Sequence, residues 1–181
     1  GGYDIQEQPF EAKRLIGYIP DHPYVYEKLS GVEFFRFIGD LFGVPRDIQE
    51  KRMEQYFQIF SLMDARDKLI ENYSHGMRQK LVMSISLMHD PKALVIDEPM
   101  VGLDPLAQRL LVDRLRERTG AGASVLLTTH HLSLAEEVAD EAGVLVKGRL
   151  AARGAPLAIT ARGRTGRLSD LFFDLASDEG P

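Results

Sequence analysis

The chain has 181 residues, 44% apolar and 27% charged, with a formal net charge of -5 and no cysteine. That is enough chain for one domain with a real core. The acidic balance gives no global pull toward nucleic acid or anionic lipid, and the missing cysteines exclude a disulfide framework and a thiolate metal site.

Leu15–Ile19 reads as a short strand stopped by Pro20. Ser30 and Glu33 have capping-box spacing. Phe34, Phe37, Ile38, Leu41 and Phe42 behind them form a helical stripe. A second helix is predicted from about Asp47, with Met53, Tyr56, Phe57 and Phe60 on one face. Ser74 reads as the cap of a third, with Leu81, Ile85 and Met88 at spacings of four and three. Residues 93–97 are a strand whose unbroken apolar run suggests burial on both faces. Asp104-Pro105 starts another helix, with Asp at the cap and Pro in the first turn. Gly120 and Gly122 break it, and residues 124–129 form a strand. Leu134–Ala139 is predicted as a short helix and Gly143–Val146 as a strand. The run 142–169 carries Lys and Arg but no acid and reads as a solvated basic tail. Leu168, Leu171, Phe172 and Leu175 predict a closing helix. No apolar run approaches the ~20 residues that cross a bilayer. Gly1-Gly2-Tyr3-Asp4 is neither a signal peptide nor an anchor, so the expected location is cytosolic. Alternating helices and strands in the second half argue for a parallel sheet covered by helices, and consecutive helices in the first half for a helical insertion.

The chemistry gathers around "ALVIDEP", Ala93 to Pro99. Two carboxylates at the end of a buried strand are costly without a cation. Mg²⁺ prefers hard oxygen ligands and takes one or two carboxylates besides phosphate oxygens. Asp97 suits that role at the C-terminal edge of a parallel sheet, and Glu98 beside it can polarise a water. Upstream stands "YSHGMRQK". Ser74 and Gly76 there open a helix, where backbone N–H groups and the dipole attract phosphate. Downstream, "VGLDP" places Asp104 at a helix cap. The strand ending in "LLTTHH" puts His130 at the expected sheet edge, where it can hydrogen-bond a phosphate oxygen.

In that order and spacing these pieces resemble the ATP-binding subunit of ABC transporters. "YSHGM" resembles its signature motif, "LVIDEP" Walker B, "GLD" the D-loop, His130 the switch histidine and "IGYIPD" the start of the Q-loop. "VLVKGRLAARG" and "RLSDLFFDL" resemble the C-terminal part of subunits serving ABC-2-type exporters. The resemblance implies an α/β fold of the P-loop NTPase kind, a parallel sheet covered by helices with a helical subdomain inserted and the N-terminal part of the fold missing. It divides 1–181 into a helical subdomain with the signature motif at about 22–90, a core from Walker B to the H-loop at about 91–150 and a tail at about 151–181. It implies ATP and Mg²⁺ as cofactors and head-to-tail pairing with a second ATP-binding subunit. Asp97 would help hold Mg²⁺, Glu98 polarise the water and His130 touch the γ-phosphate. Ser74 and Gly76 would contact the nucleotide of the opposite protomer, and Asp104 would cross the interface. Closure would drive a membrane permease docked near the Q-loop, with no nucleic-acid partner, which places the subunit in the cytoplasm on the inner face of the plasma membrane.

Three departures qualify this expectation. None of the sixteen glycines is followed by lysine, so the phosphate cradle G-x-x-x-x-G-K-[ST] is absent from the sequence. The expectation is therefore a truncated chain, inactive as an ATPase alone. Asp21 stands where the family has its Q-loop glutamine; it can still meet Mg²⁺ but adds negative charge. His75 and Met77 replace the usual Gly and Gln of the signature, while Ser74 and Gly76 remain. Two other readings are a non-hydrolytic remnant that only binds a partner, and a soluble ATPase of the same class. The second is disfavoured by the lack of a heptad insertion and of a tandem copy.

Overall fold

A computed structural model describes residues 1–161 and 166–178. These form two compact units, Gly1 to Thr128 and Thr129 onward. Among the described residues, no helix is long and apolar enough to cross a membrane.

The first unit contains α1 (Pro9–Arg14), β1 (Ile16–Ile19), α2 (Gly31–Leu41), α3 (Arg46–Ile59), α4 (His75–Met88), β2 (Ala93–Asp97), α5 (Pro105–Gly120) and β3 (Ser124–Thr128). Its strands make a parallel sheet in the order β1-β2-β3. The register aligns Ile19 with Ile96 and Asp97 with Thr128, so the C-terminal ends of all three strands share one edge. Leu94, Ile96 and Ile19 are buried on one face. On the other, Tyr18, Val95 and Leu126 form one row across the sheet, with Tyr18 53% and Leu126 63% exposed. The expectation that residues 93–97 are buried on both faces is therefore corrected. Burial alternates along β2, because among the described residues only one face is fully covered.

Among the described residues β1 is an edge strand, and unpaired carbonyls along an edge need partners. Helix α4 supplies them. Ser86 Oγ donates to the Tyr18 carbonyl at 2.6 Å, Gln79 Nε2 donates to that of Pro20 at 3.1 Å, and His89 Nε2 lies 3.1 Å from that of Ile16. Residues two apart along a strand point their carbonyls the same way, so one helix and its C-terminal cap His89 serve all three. Gly17 permits the approach, since a Cβ there would lie 2.6 Å from the Ser86 carbonyl.

The expected helical layer is α2, α3 and α4. Ser30 and Glu33 form the capping box, with Ser30 N donating to Glu33 Oε2 at 2.7 Å and Glu33 N to Ser30 Oγ at 3.3 Å. Phe35 of α2 and Phe57 of α3 meet edge to face at 5.6 Å, both fully buried. Buried Gln49 closes the α2–α3 turn, donating to Asp40 Oδ1 at 2.8 Å and to the Val44 carbonyl at 2.7 Å.

The second unit contains α6 (Leu132–Val138), β4 (Ala142–Val146), β5 (Arg149–Gly154), α7 (Pro156–Thr160) and α8 (Leu168–Asp178). Val144, Val146, Ile159, Leu168 and Leu171 make its core. The basic run is not simply a solvated tail. Residues 149–154 form a strand antiparallel to β4, turned by Lys147 and Gly148, both with positive φ, as tight hairpins require. Arg153 pairs with Glu141 at 2.6 Å. Arg162 and Arg164 of that run lie outside the described residues.

His89 carries a pH dependence. Burial holds its imidazole below the ordinary range; the Ile16 carbonyl opposes this, Arg52 and Arg118 reinforce it and Asp90 opposes it. A depressed histidine gives stability that is present above the unfolded value, near pH 6.5, and lost as pH falls through the folded one. Urea unfolding between about pH 8 and pH 5 should show stability falling on the acid side, with a shallower fall in His89→Gln. Equal slopes in the two proteins would contradict this.

Candidate functional site

At the C-terminal edge of the sheet β2 ends in Asp97, whose Oδ1 accepts a hydrogen bond from Thr128 Oγ1 at the end of β3. Glu98 follows with φ +44°, a left-handed conformation that a glutamate adopts only when its surroundings hold it there. Its N–H donates to the Thr128 carbonyl at 3.1 Å, and Pro99 bars the strand from continuing. Asp21 follows the end of β1 at the same edge and meets His22 Nδ1 at 2.8 Å. Carboxylates thus stand at the ends of two neighbouring strands.

A second group is built on helix starts. Ser74 caps α4, its Oγ accepting from Met77 N at 3.2 Å. Buried Tyr73 anchors the turn before it by donating to the Ala65 carbonyl at 2.7 Å. Burial pushes that phenol up to about 12, so it remains a neutral donor. Asp104 caps α5 through Ala107 N at 2.9 Å and also accepts from Lys80 Nζ at 2.8 Å. The Lys80 ammonium, then the Ala107 amide, hold its carboxyl below the usual range. Gly76 is needed because a Cβ there would lie 2.4 Å from the Gly102 carbonyl oxygen.

The structure therefore joins Asp97 to Glu98 and Thr128, and helix α4 to the turn before α5 through Gly76 beside Gly102 and Lys80 on Asp104. His130 belongs to the second unit, where its ring lies 4.3 Å from that of His131. Sequence reasoning missed Thr128 and Lys80. The threonines of "LLTTHH" were the only signal for the first; the second lay in plain sight in "YSHGMRQK", without a stated partner.

The donor set fits a divalent cation. The carboxylate of Asp97 has a second hard oxygen besides the one bonded to Thr128, which suits Mg²⁺. The first-turn N–H groups of α4 suit a phosphate oxygen, since helix starts leave such donors without intrahelical partners. The main phosphate loop, by contrast, has no counterpart in this sequence.

A parallel sheet with helices packed on it and acids at its C-terminal edge is an α/β fold of the P-loop NTPase kind. Residues 32–136 match the family described as AAA domain, putative AbiEii toxin, type IV TA system. The chain is 31% identical to the ABC-type transporter ATP-binding protein EcsA of Bacillus subtilis, over 98% of this chain and 73% of that one. It is 35% identical to the Nod factor export ATP-binding protein I of Ralstonia nicotianae, over 86% of this chain and 48% of that one. A solved ATP-binding subunit of an ABC transporter superposes with a TM-score of 0.89 at 32% identity, covering 96% of this chain and 73% of that structure. The chain belongs to the family of ABC transporter ATP-binding proteins. It spans about half the length of most curated relatives it matches, 43% of one from Nostoc and 46% of one from Streptomyces peucetius.

Proposed function

We propose that these residues form the Walker B and signature part of an ATP-hydrolysing subunit that drives a membrane permease, in the direction of export. The observation that carries the reading is the pairing of Asp97 and Glu98 at the end of β2 with a capped, glycine-containing helix start at Ser74. Phosphoryl transfer needs positioning and charge neutralisation more than covalent help. Asp97 would hold Mg²⁺, which supplies charge neutralisation when bound. Glu98 would orient and polarise the attacking water. His130 would hydrogen-bond the γ-phosphate, and Asp21 would contribute an oxygen from the Q-loop position. Ser74 and Gly76 would serve the nucleotide of a second copy, with the Asp104 turn beside them at the junction. Relatives named for Nod factor export and for daunorubicin and doxorubicin resistance support the direction. The subunit would then sit on the cytoplasmic face of the membrane, against its permease.

The permease would dock beside the Q-loop. Tyr24 is 84% exposed. Tyr26 packs on Phe34 and Phe37 with ring centroids 5.6 Å away, yet it and Phe37 remain well exposed, with Leu41 also open on α2. This aromatic surface suits the apolar side of a short amphipathic helix. A photo-cross-linker at position 24, in the intact protein co-expressed with a candidate membrane permease, should capture that permease. Cross-links formed only from positions elsewhere on the surface would reject the docking face.

A further inference from the structure

The start of α4 and the turn before α5 touch at three points. A Cβ on Gly76 would meet the Gly102 carbonyl at 2.4 Å, a Cβ on Gly102 would meet His75 Cδ2 at 2.5 Å, and Lys80 Nζ donates to Asp104 Oδ2 at 2.8 Å. The lysine side chain is 16% exposed and the aspartate 53%. The pair lines a cleft of about 150 Å³ together with Ile59, Phe60, Leu106 and Leu110. Its ammonium is thus less screened than in an exposed ion pair. Asp104 spends both oxygens within its own chain, one on Lys80 and one on Ala107 N. Both oxygens are thus oriented within the protomer, while the half-exposed carboxylate keeps further acceptor sites open. Gly102 holds φ +75°, a conformation glycine enters and leaves freely, so the turn before α5 gains order from the Lys80 tie, whereas the start of α4 is already fixed by the Ser74 cap.

We propose that Lys80 is a positioning residue: by holding Asp104 it locks the Gly102–Asp104 turn onto the start of α4, so that both turns meet a second copy of this chain as one preassembled surface. The inference rests on the paired reading above. Its physical content is that the ordering cost of the Gly102 turn is met within each protomer and not at the moment of pairing.

The test uses the intact protein carrying Glu98→Gln. Lys80→Met should weaken the Mg²⁺-ATP-driven dimer about tenfold in sedimentation, while nucleotide affinity of the single protomer and the melting temperature stay close to those of the parent. Lys80→Arg should restore most of the loss. Asp104→Asn keeps a cap acceptor and loses the charge; it should weaken the dimer alike, and adding Lys80→Met to it should do nothing more. Amide hydrogen exchange on the nucleotide-free protomer should speed up over residues 101–107 in Lys80→Met. Unchanged exchange there, or additive effects of the two substitutions on pairing, overturns the proposal. If the parent forms no ATP-driven dimer but exchange at 101–107 still rises, the clamp stands and the paired reading falls.

Discussion

Glu98→Gln in the intact protein should bind ATP about as the parent does and lose most of its turnover, by a factor on the order of 10²–10⁴. Glutamine keeps the shape of the side chain but cannot accept a proton or polarise water as a carboxylate does. The backbone around residue 98 is already specified by the Thr128 carbonyl and by Pro99, so the amide should occupy the same place and the loss should fall on kcat. Asp97→Asn should behave differently. It removes charge from the metal shell and should weaken Mg²⁺-dependent binding first. Isothermal titration with and without Mg²⁺, beside phosphate release, separates the two. Turnover near that of the parent in Glu98→Gln would remove the role given to Glu98.

The second large effect concerns residues 1–181 expressed alone. They should not hydrolyse ATP, and they should unfold at lower temperature and aggregate more than the same residues joined to a phosphate-loop segment from an ABC relative. The chemical ground is that Asp97 and Glu98 supply the metal and water side of the reaction, while the sequence holds no G-x-x-x-x-G-K-[ST]. The packing ground is the sheet. Among the described residues no strand pairs with β3 on the side away from β2, and the Tyr18–Val95–Leu126 row leaves two large side chains more than half exposed. An open strand edge next to an apolar face invites pairing with other chains. Light scattering, thermal unfolding and phosphate release on the two proteins side by side test this. A monomeric, cooperatively folding, ATP-hydrolysing 181-residue chain would contradict it.

Local rules made much of the first unit legible. Residue type and spacing mark Ser30, Ser74 and Asp104 as helix caps, and each caps a helix. The strand at 93–97 followed from an apolar run ended by Pro99. What was missed was short or non-local. Helices α1 and α7 have six and five residues, too few for a periodic stripe. Strand β5 leaves Leu150 exposed and carries Arg149 and Arg153, so its composition resembles a solvated loop; only Lys147-Gly148 marked the hairpin. The contacts that shape the site join residues far apart in sequence: Gln79 to Pro20, Thr128 to Asp97 and Lys80 to Asp104. Such pairs are set by how α4 packs on β1 and α5 and by the register of β2 on β3, which no spacing rule reports. Burial of only one sheet face escaped for the same reason, since an apolar strand reads alike whether its second face is covered or open.

The central claim is that Ser74 serves a nucleotide held by another copy of the chain. Sedimentation of the intact protein carrying Glu98→Gln, with and without ATP, tests it most directly when repeated with Ser74→Arg added. The account predicts an ATP-dependent dimer with Glu98→Gln alone, and only monomers once arginine occupies position 74, with ATP affinity of the single protomer largely kept. Dimers forming as readily with Ser74→Arg would contradict it.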